Sequence, residues 1–205
     1  MKFALSIVAS TLLVGTAAFV WMKASPAPVE MSKDEKIARG AYLVRLGGCA
    51  DCHTPKIMTG KGLVDDENRA FSGHPADLEL PPAQLGDGPW GAATAGMTAW
   101  AGPWGVSYAA NLTADHSTGL FSEETFIAAM RTGKKRGIGR DILPPMQWQP
   151  LAAASDADLK AIYAFLRSVP AVHNSVPEPK PPVSQSAATS APTRGAIAQG
   201  YPRGF

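Results

Sequence analysis

The two cysteines of this 205-residue chain stand three positions apart in "CADCH", Cys49 and Cys52, with His53 directly after them. No other stretch limits the possible folds so strongly. Three side chains that bind metals or form covalent bonds must project from little more than one helical turn. The rest of the chain has to supply whatever those side chains need. Three chemistries use such a triplet: a structural zinc site, a dithiol redox pair, and covalent attachment of haem.

A structural zinc site wants four Cys or His ligands, and beyond the triplet only His74, His116 and His173 remain as such donors. Adjacent Cys52 and His53 also point poorly towards one small tetrahedral ion. A dithiol pair of the thioredoxin kind sits in a βαβ setting, whereas the segment before Cys49 reads as a helix. Haem attachment needs what is present. Two thiols at this spacing can add to the two vinyl groups of the porphyrin, and the following histidine can bind the iron. C-x-x-C-H is the sequence sign of a c-type haem, so Cys49 and Cys52 are expected as thioether positions of one covalent haem and His53 as an axial iron ligand.

A methionine thioether at the second axial position suits electron transfer. Met130 falls on the apolar face of an expected helix and reads as core. Met58 is too near His53 in sequence to cross the porphyrin. Met97 and Met146 remain. Met97 has only a Gly/Ala stretch around it, whereas Met146 in "DILPPMQW" follows two prolines that restrict its backbone. Met146 is the expected ligand.

Helical periodicity appears three times. Ser32 and Glu35 form a capping box ahead of residues 33–46, which end at Gly47 and Gly48. Ser122 caps a helix that Gly133 stops, and Ser155 caps one that Pro170 ends. Residues 54–120 carry no sustained period and hold Trp90, Trp100 and Trp104. With 20 Gly and 18 Pro in the chain, long irregular connections are expected there. Trp100, Trp104 and Trp148 are candidates to wall a haem or simply to pack a core. The expectation is a small all-α domain of three or more helices around one haem, with long irregular loops, over residues 33–174.

Ala4 to Met22 is a run of 19 residues without charge, following Lys2. Residues 1–24 are therefore either a removed signal peptide or an N-terminal membrane anchor held by residues 4–22. Both readings imply export. Residues 25–32 read as a linker, and the Pro, Ser and Ala-rich residues 175–205 as a disordered tail. The formal net charge of +2 gives no case for nucleic acid as partner. "RTGKKRGIGR" groups Arg131, Lys134, Lys135, Arg136 and Arg140 just before the Met146 loop. It reads either as a basic rim that steers acidic redox partners or as a solvated loop.

Three stretches, "RGAYLVRLGGCADCHTP", "GPWGVSYAANLTADHSTGLFSEETFIAAMRTGKK" and "ILPPMQW…LAAASDADLKAIYAFLRSVPAVHN", resemble the class I cytochromes c of the bacterial periplasmic monohaem type. The resemblance implies an all-α fold and thioether links at Cys49 and Cys52. It also implies iron bound by His53 and Met146, and first and last helices that cross near Gly40 and Tyr163. Similar domains occur as cytochrome subunits of membrane alcohol and aldehyde dehydrogenases. Those usually carry three C-x-x-C-H motifs, and this chain has one.

An iron held on both faces has no open position for substrate. The expected function is that of a one-electron carrier in a periplasmic respiratory chain, without catalysis of its own. Its partners would be a dehydrogenase, a terminal oxidase or other cytochromes, and the membrane if the N-terminus is uncleaved. The alternative is a haem peroxidase or gas sensor in which Met146 detaches. His53 is expected to donate its second ring N–H to a loop carbonyl, with that of Pro103 as the first choice.

Overall fold

A computed structural model describes residues 30–83, 85 and 90–182. The expected signal or anchor, residues 25–29 of the linker and the tail beyond residue 182 lie outside the described residues. The chain divides into two units, Met1–Glu35 and Lys36–Phe205. In the described part of the first, the Ser32 backbone N–H and hydroxyl both bond the Glu35 carboxylate at 2.8 Å, and the Glu35 N–H returns to Ser32 Oγ. This is the reciprocal capping box, and it opens helix α1, Lys33–Leu46.

Four further α-helices follow among the described residues. They are α2 (Cys49–His53), α3 (Glu123–Thr132), α4 (Trp148–Ala152) and α5 (Asp156–Leu166). The caps that the sequence offers are made. Ser122 Oγ accepts from the Thr125 N–H, and Ser155 Oγ accepts from the Asp158 N–H. Val44 of α1, Phe126 and Met130 of α3, and Leu159, Ile162 and Leu166 of α5 meet Phe71 in one buried cluster. Leu159 is fully buried. Burial of these side chains, rather than helix propensity, is what holds the short helices in place.

The crossing of α1 and α5 is governed by Gly40. A Cβ there would lie 1.9 Å from the Ala161 carbonyl oxygen and 2.7 Å from Phe165 Cβ. Only hydrogen fits, so the two backbones approach at this point. Arg39 pins the crossing through a 2.9 Å ion pair with Asp158. Gly40 thus sits where the resemblance implied, but its neighbours are Ala161 and Phe165. Tyr163 faces α3 instead. Its ring lies 5.9 Å from that of Phe126, and its hydroxyl donates to the Phe121 carbonyl.

The expectation of an all-α fold is corrected by two small antiparallel sheets inside residues 54–120. Strands β1 (Lys56–Thr59) and β2 (Gly62–Asp65) form a hairpin with a two-residue turn. Strands β3 (Ala92–Ala93), β4 (Ala99–Gly102) and β5 (Gly105–Tyr108) form the second sheet in that order. The architecture is mixed, a helical frame with two short sheets. The strands escaped sequence reading for a physical reason. They are two to four residues long, too short for a period to show, and β4 (AWAG) and β5 (GVSY) set glycine and alanine beside Trp100 and Tyr108 without alternating apolar and polar positions.

After α5 the chain returns over these loops. Asn111 donates to the Val172 carbonyl at 2.9 Å. Asn174 donates to the carbonyls of Ser72 and His74 at 2.7 and 2.8 Å and accepts from the Ala76 N–H. Lys180 then pairs with Val106 of β5, each N–H donating to the other's carbonyl. Gly105 makes this approach possible: its φ is +92°, and a Cβ would fall 2.1 Å from the Lys180 carbonyl oxygen. Among the described residues no helix is long and apolar enough to cross a membrane.

Candidate haem site

Helix α2 is the motif itself. Gly48, at φ 62°, ends the bend after α1 and starts a five-residue helix made of Cys49, Ala50, Asp51, Cys52 and His53. One turn therefore carries both thiols and the imidazole. Neither cysteine is in a disulfide, and both are partly buried. Desolvation by that burial raises both thiols above their ordinary range. A dithiol redox pair works through a lowered thiol, so the electrostatics oppose that reading.

His53 is buried, and its Nδ1 lies 2.8 Å from the Ala110 carbonyl oxygen. A carbonyl only accepts, so Nδ1 carries the proton and Nε2 keeps its lone pair. Burial holds the imidazole below its ordinary range, against the opposite pull of the Ala110 carbonyl. At neutral pH the ring is therefore in the neutral form that binds metals. The partner is Ala110, not Pro103. Pro103 sits exposed in the turn between β4 and β5, whereas Ala110 lies two residues past the end of β5. A backbone acceptor leaves no mark in the sequence, since every residue offers one. Two further bonds hold this side. The Gly73 N–H donates to the His53 carbonyl at 2.8 Å, and the Phe71 N–H donates to Thr54 Oγ1.

Met146 is partly buried and packs, as Cys49 does, against the apolar cluster of α1, α3 and α5. The other methionines have other settings. Met130 is buried within the cluster, Met58 lies exposed on β1, and Met97 is exposed with φ 56° in the turn before β4. Trp148 lies on Gly133, and Trp104 covers Gly102 and donates Nε1 to Ser107 Oγ at 3.2 Å.

The donor set fits a c-type haem. There are two unpaired thiols on one turn, a neutral imidazole with Nε2 unused, and a thioether on the apolar cluster that also meets Cys49. Among the described residues no group of three or more His, Cys, Asp or Glu side chains converges to hold a metal ion, so nothing supports the zinc reading.

Each of the five cations before the Met146 loop is engaged within the chain. Arg131 pairs with Asp156 and donates to the carbonyls of Ala152 and Ala154. Lys134 pairs with Asp141, and Lys135 and Arg140 both pair with Glu178. The Arg136 guanidinium stacks 3.7 Å from the Phe121 ring centroid. Three carboxylates offset most of the positive charge, which weakens the case for a steering rim.

Known proteins are similar to this chain. The chain is 29% identical over 156 residues to the gluconate 2-dehydrogenase cytochrome c subunit of Pantoea cypripedii, covering 75% of this chain and 26% of that protein. It is 37% identical over 143 residues to a nicotinate dehydrogenase subunit of Pseudomonas putida, covering 69% of this chain and 9% of that protein. It is 30% identical over 131 residues to the cytochrome c subunit of the quinone-dependent alcohol dehydrogenase of Gluconobacter oxydans, covering 63% and 20%. No protein-family model matches. The chain is thus similar to the cytochrome c subunits of two dehydrogenases and to a subunit of a third, and it spans about a quarter or less of each relative's length.

Proposed function

We propose that residues 33–174 form a one-electron carrier with a single haem c, serving a dehydrogenase on the periplasmic side of a bacterial inner membrane. Cys49 and Cys52 would hold the group through thioethers, and His53 and Met146 would bind its iron. In forming each thioether the sulfur bonds one vinyl carbon and the thiol hydrogen goes to the other. No external oxidant or reductant is consumed. When bound, the group supplies a reversible ferric/ferrous couple whose potential is raised by thioether ligation.

The protein's own part is to bind, orient and exclude water. The Ala110 carbonyl fixes the His53 ring and its tautomer. The apolar cluster of Val44, Phe71, Phe126, Leu159 and Ile162 lies beside Cys49 and Met146 and gives them a low-dielectric wall. If His53 and Met146 both bound the iron, they would leave no place there for a substrate, which favours electron transfer over catalysis. The dehydrogenase names of the relatives point to a dehydrogenase as electron donor. A terminal oxidase or a further cytochrome would be the acceptor.

The observation that carries this reading is the buried, neutral His53 on the same helical turn as two unpaired thiols. The test is production of the full chain in a bacterium with haem-attachment machinery. The reading predicts a ferrous spectrum of the c type, a charge-transfer band from thioether to iron in the ferric state, and no carbon monoxide binding after reduction. Ready carbon monoxide binding would favour a sensor or peroxidase, and a colourless product would overturn the proposal.

A further inference from the structure

We propose that Ser107 is a positioning residue for the Met146 thioether, acting through the Pro144 carbonyl and oriented by Trp104. The inference rests on the ligation of iron by Met146 proposed above.

The loop that carries Met146 has little backbone bonding of its own. Pro144 and Pro145 have no N–H. The Met146 N–H reaches only the Leu143 carbonyl, at 3.3 Å. The Met146 carbonyl accepts only a local bond from the Trp148 N–H at 3.1 Å, and the bond to another element comes further out, where the Ile142 N–H donates to the Gly133 carbonyl at 2.7 Å. Ser107 closes the gap from another part of the chain. Its Oγ donates to the Pro144 carbonyl at 2.5 Å, two residues before the thioether.

The direction of this relay is settled by chemistry. An indole N–H only donates, and a carbonyl only accepts. The Ser107 hydroxyl therefore receives from Trp104 Nε1 and spends its one proton on Pro144. Its rotor has a single satisfied setting.

The base of the relay is rigid. Ser107 is buried in β5, which is paired with β4 on one edge and bridged to Lys180 on the other. The Trp104 ring is clamped over Gly102, where a Cβ would come within 2.4 Å of it. Glu178, two residues before Lys180, ties the same returning segment to Lys135 and Arg140 ahead of the loop. A serine on a strand held at both edges thus fixes a loop that cannot fix itself.

The test compares the full, haem-loaded protein with Ser107→Ala, Ser107→Thr, Trp104→Phe and Met146→Ala. The readouts are the thioether-to-iron band of the ferric form and the affinity of ferric protein for added imidazole, which competes with the thioether. Losing one hydrogen bond to the loop predicts about 5–10-fold tighter imidazole binding and a weaker band in Ser107→Ala. Ser107→Thr, which keeps the hydroxyl, returns both towards wild type. Trp104→Phe keeps an aromatic side chain and the serine but removes the Nε1–H donor, shifts both readouts in the same direction by less, and decides the matter should Ser107→Ala fold poorly.

Wild-type imidazole affinity in Ser107→Ala, or in Trp104→Phe where the alanine variant does not fold, would overturn the inference. A wild-type protein without the band, or a Met146→Ala protein that keeps it, would instead overturn the ligation on which the inference stands.

Discussion

The two sides of the candidate site are built differently. The imidazole side is local in sequence and deep in the fold. His53 shares a helical turn with both cysteines, and its Nδ1–H meets the Ala110 carbonyl just past β5. The thioether side is assembled from a distance. Met146 sits in a proline loop whose hold comes from Ser107 on β5, from Gly133 at the end of α3, and from the apolar cluster. Local constraints, with the proposed thioether links added to them, should make the first side hard to disturb. The second side depends on a few hydrogen bonds, each worth about 1 kcal/mol net. Potential and ligand exchange should therefore be tuned from the Met146 side, and assembly should be decided at the His53 side.

The sharpest way to break this contrast is to remove each ligand in turn. His53→Ala should abolish the low-spin haem protein almost entirely. Met146→Ala should leave the thioether-linked haem in place, lose the thioether-to-iron band and open the iron to carbon monoxide. Mass measurement and optical spectra would check both. Equal damage from the two substitutions would erase the distinction between the sides.

The helical frame behind the contrast has its own weak point. Gly40→Ala places a methyl where the Ala161 carbonyl already lies, and should cost about 3 kcal/mol of stability as measured by denaturant unfolding of the holoprotein. A change under about 0.5 kcal/mol, the ordinary range for a surface substitution, would mean that α1 and α5 do not meet there. Ser155→Ala removes only the cap of α5 and should cost about 1 kcal/mol by the same measurement.

Caps and periodicity made the frame legible. Ser32 with Glu35, Ser122, and Ser155 mark three helices, and the structure makes each of those hydrogen bonds. The candidate residues from Cys49 to His53 were legible because their spacing is chemical. The rest was hidden for identifiable reasons. Strands such as Ala92–Ala93 are too short and too small in side chain to show a period. The Ala110 carbonyl is an acceptor that any residue could offer. Ser107 stands between Val106 and Tyr108 with nothing in the sequence to tie it to Pro144, 37 positions on. Asn174 likewise bonds across 100 residues to His74. Long-range polar contacts of this kind leave no local pattern.

Smaller effects concern the rim and the acid limb. Because Lys134, Lys135, Arg140 and Arg131 already face carboxylates of this chain, electron-transfer rates with a natural partner should depend only weakly on ionic strength. A steep fall with salt, measured by stopped flow, would restore the steering reading.

Asp115 tests the loop between β5 and α3. Hydrogen bonds from the Thr118 hydroxyl first, then from the Thr118 N–H and from Ser117, hold its carboxyl well below the usual range. A carboxyl lowered in the folded state stabilises above its unfolded pKa of about 3.9, and the contribution is lost as pH falls through that value towards the folded one. Thermal melts between neutral and acid pH should therefore show a shallower acid loss in Asp115→Asn than in wild type. Identical acid limbs would contradict the assignment.

The most direct test of the central claim is the mass and ferric spectrum of the haem-loaded full chain, taken together on one sample. The account predicts the polypeptide plus one haem linked at both cysteines, with the thioether-to-iron band present. A polypeptide mass without haem, or a Cys49–Cys52 disulfide in its place, would contradict it.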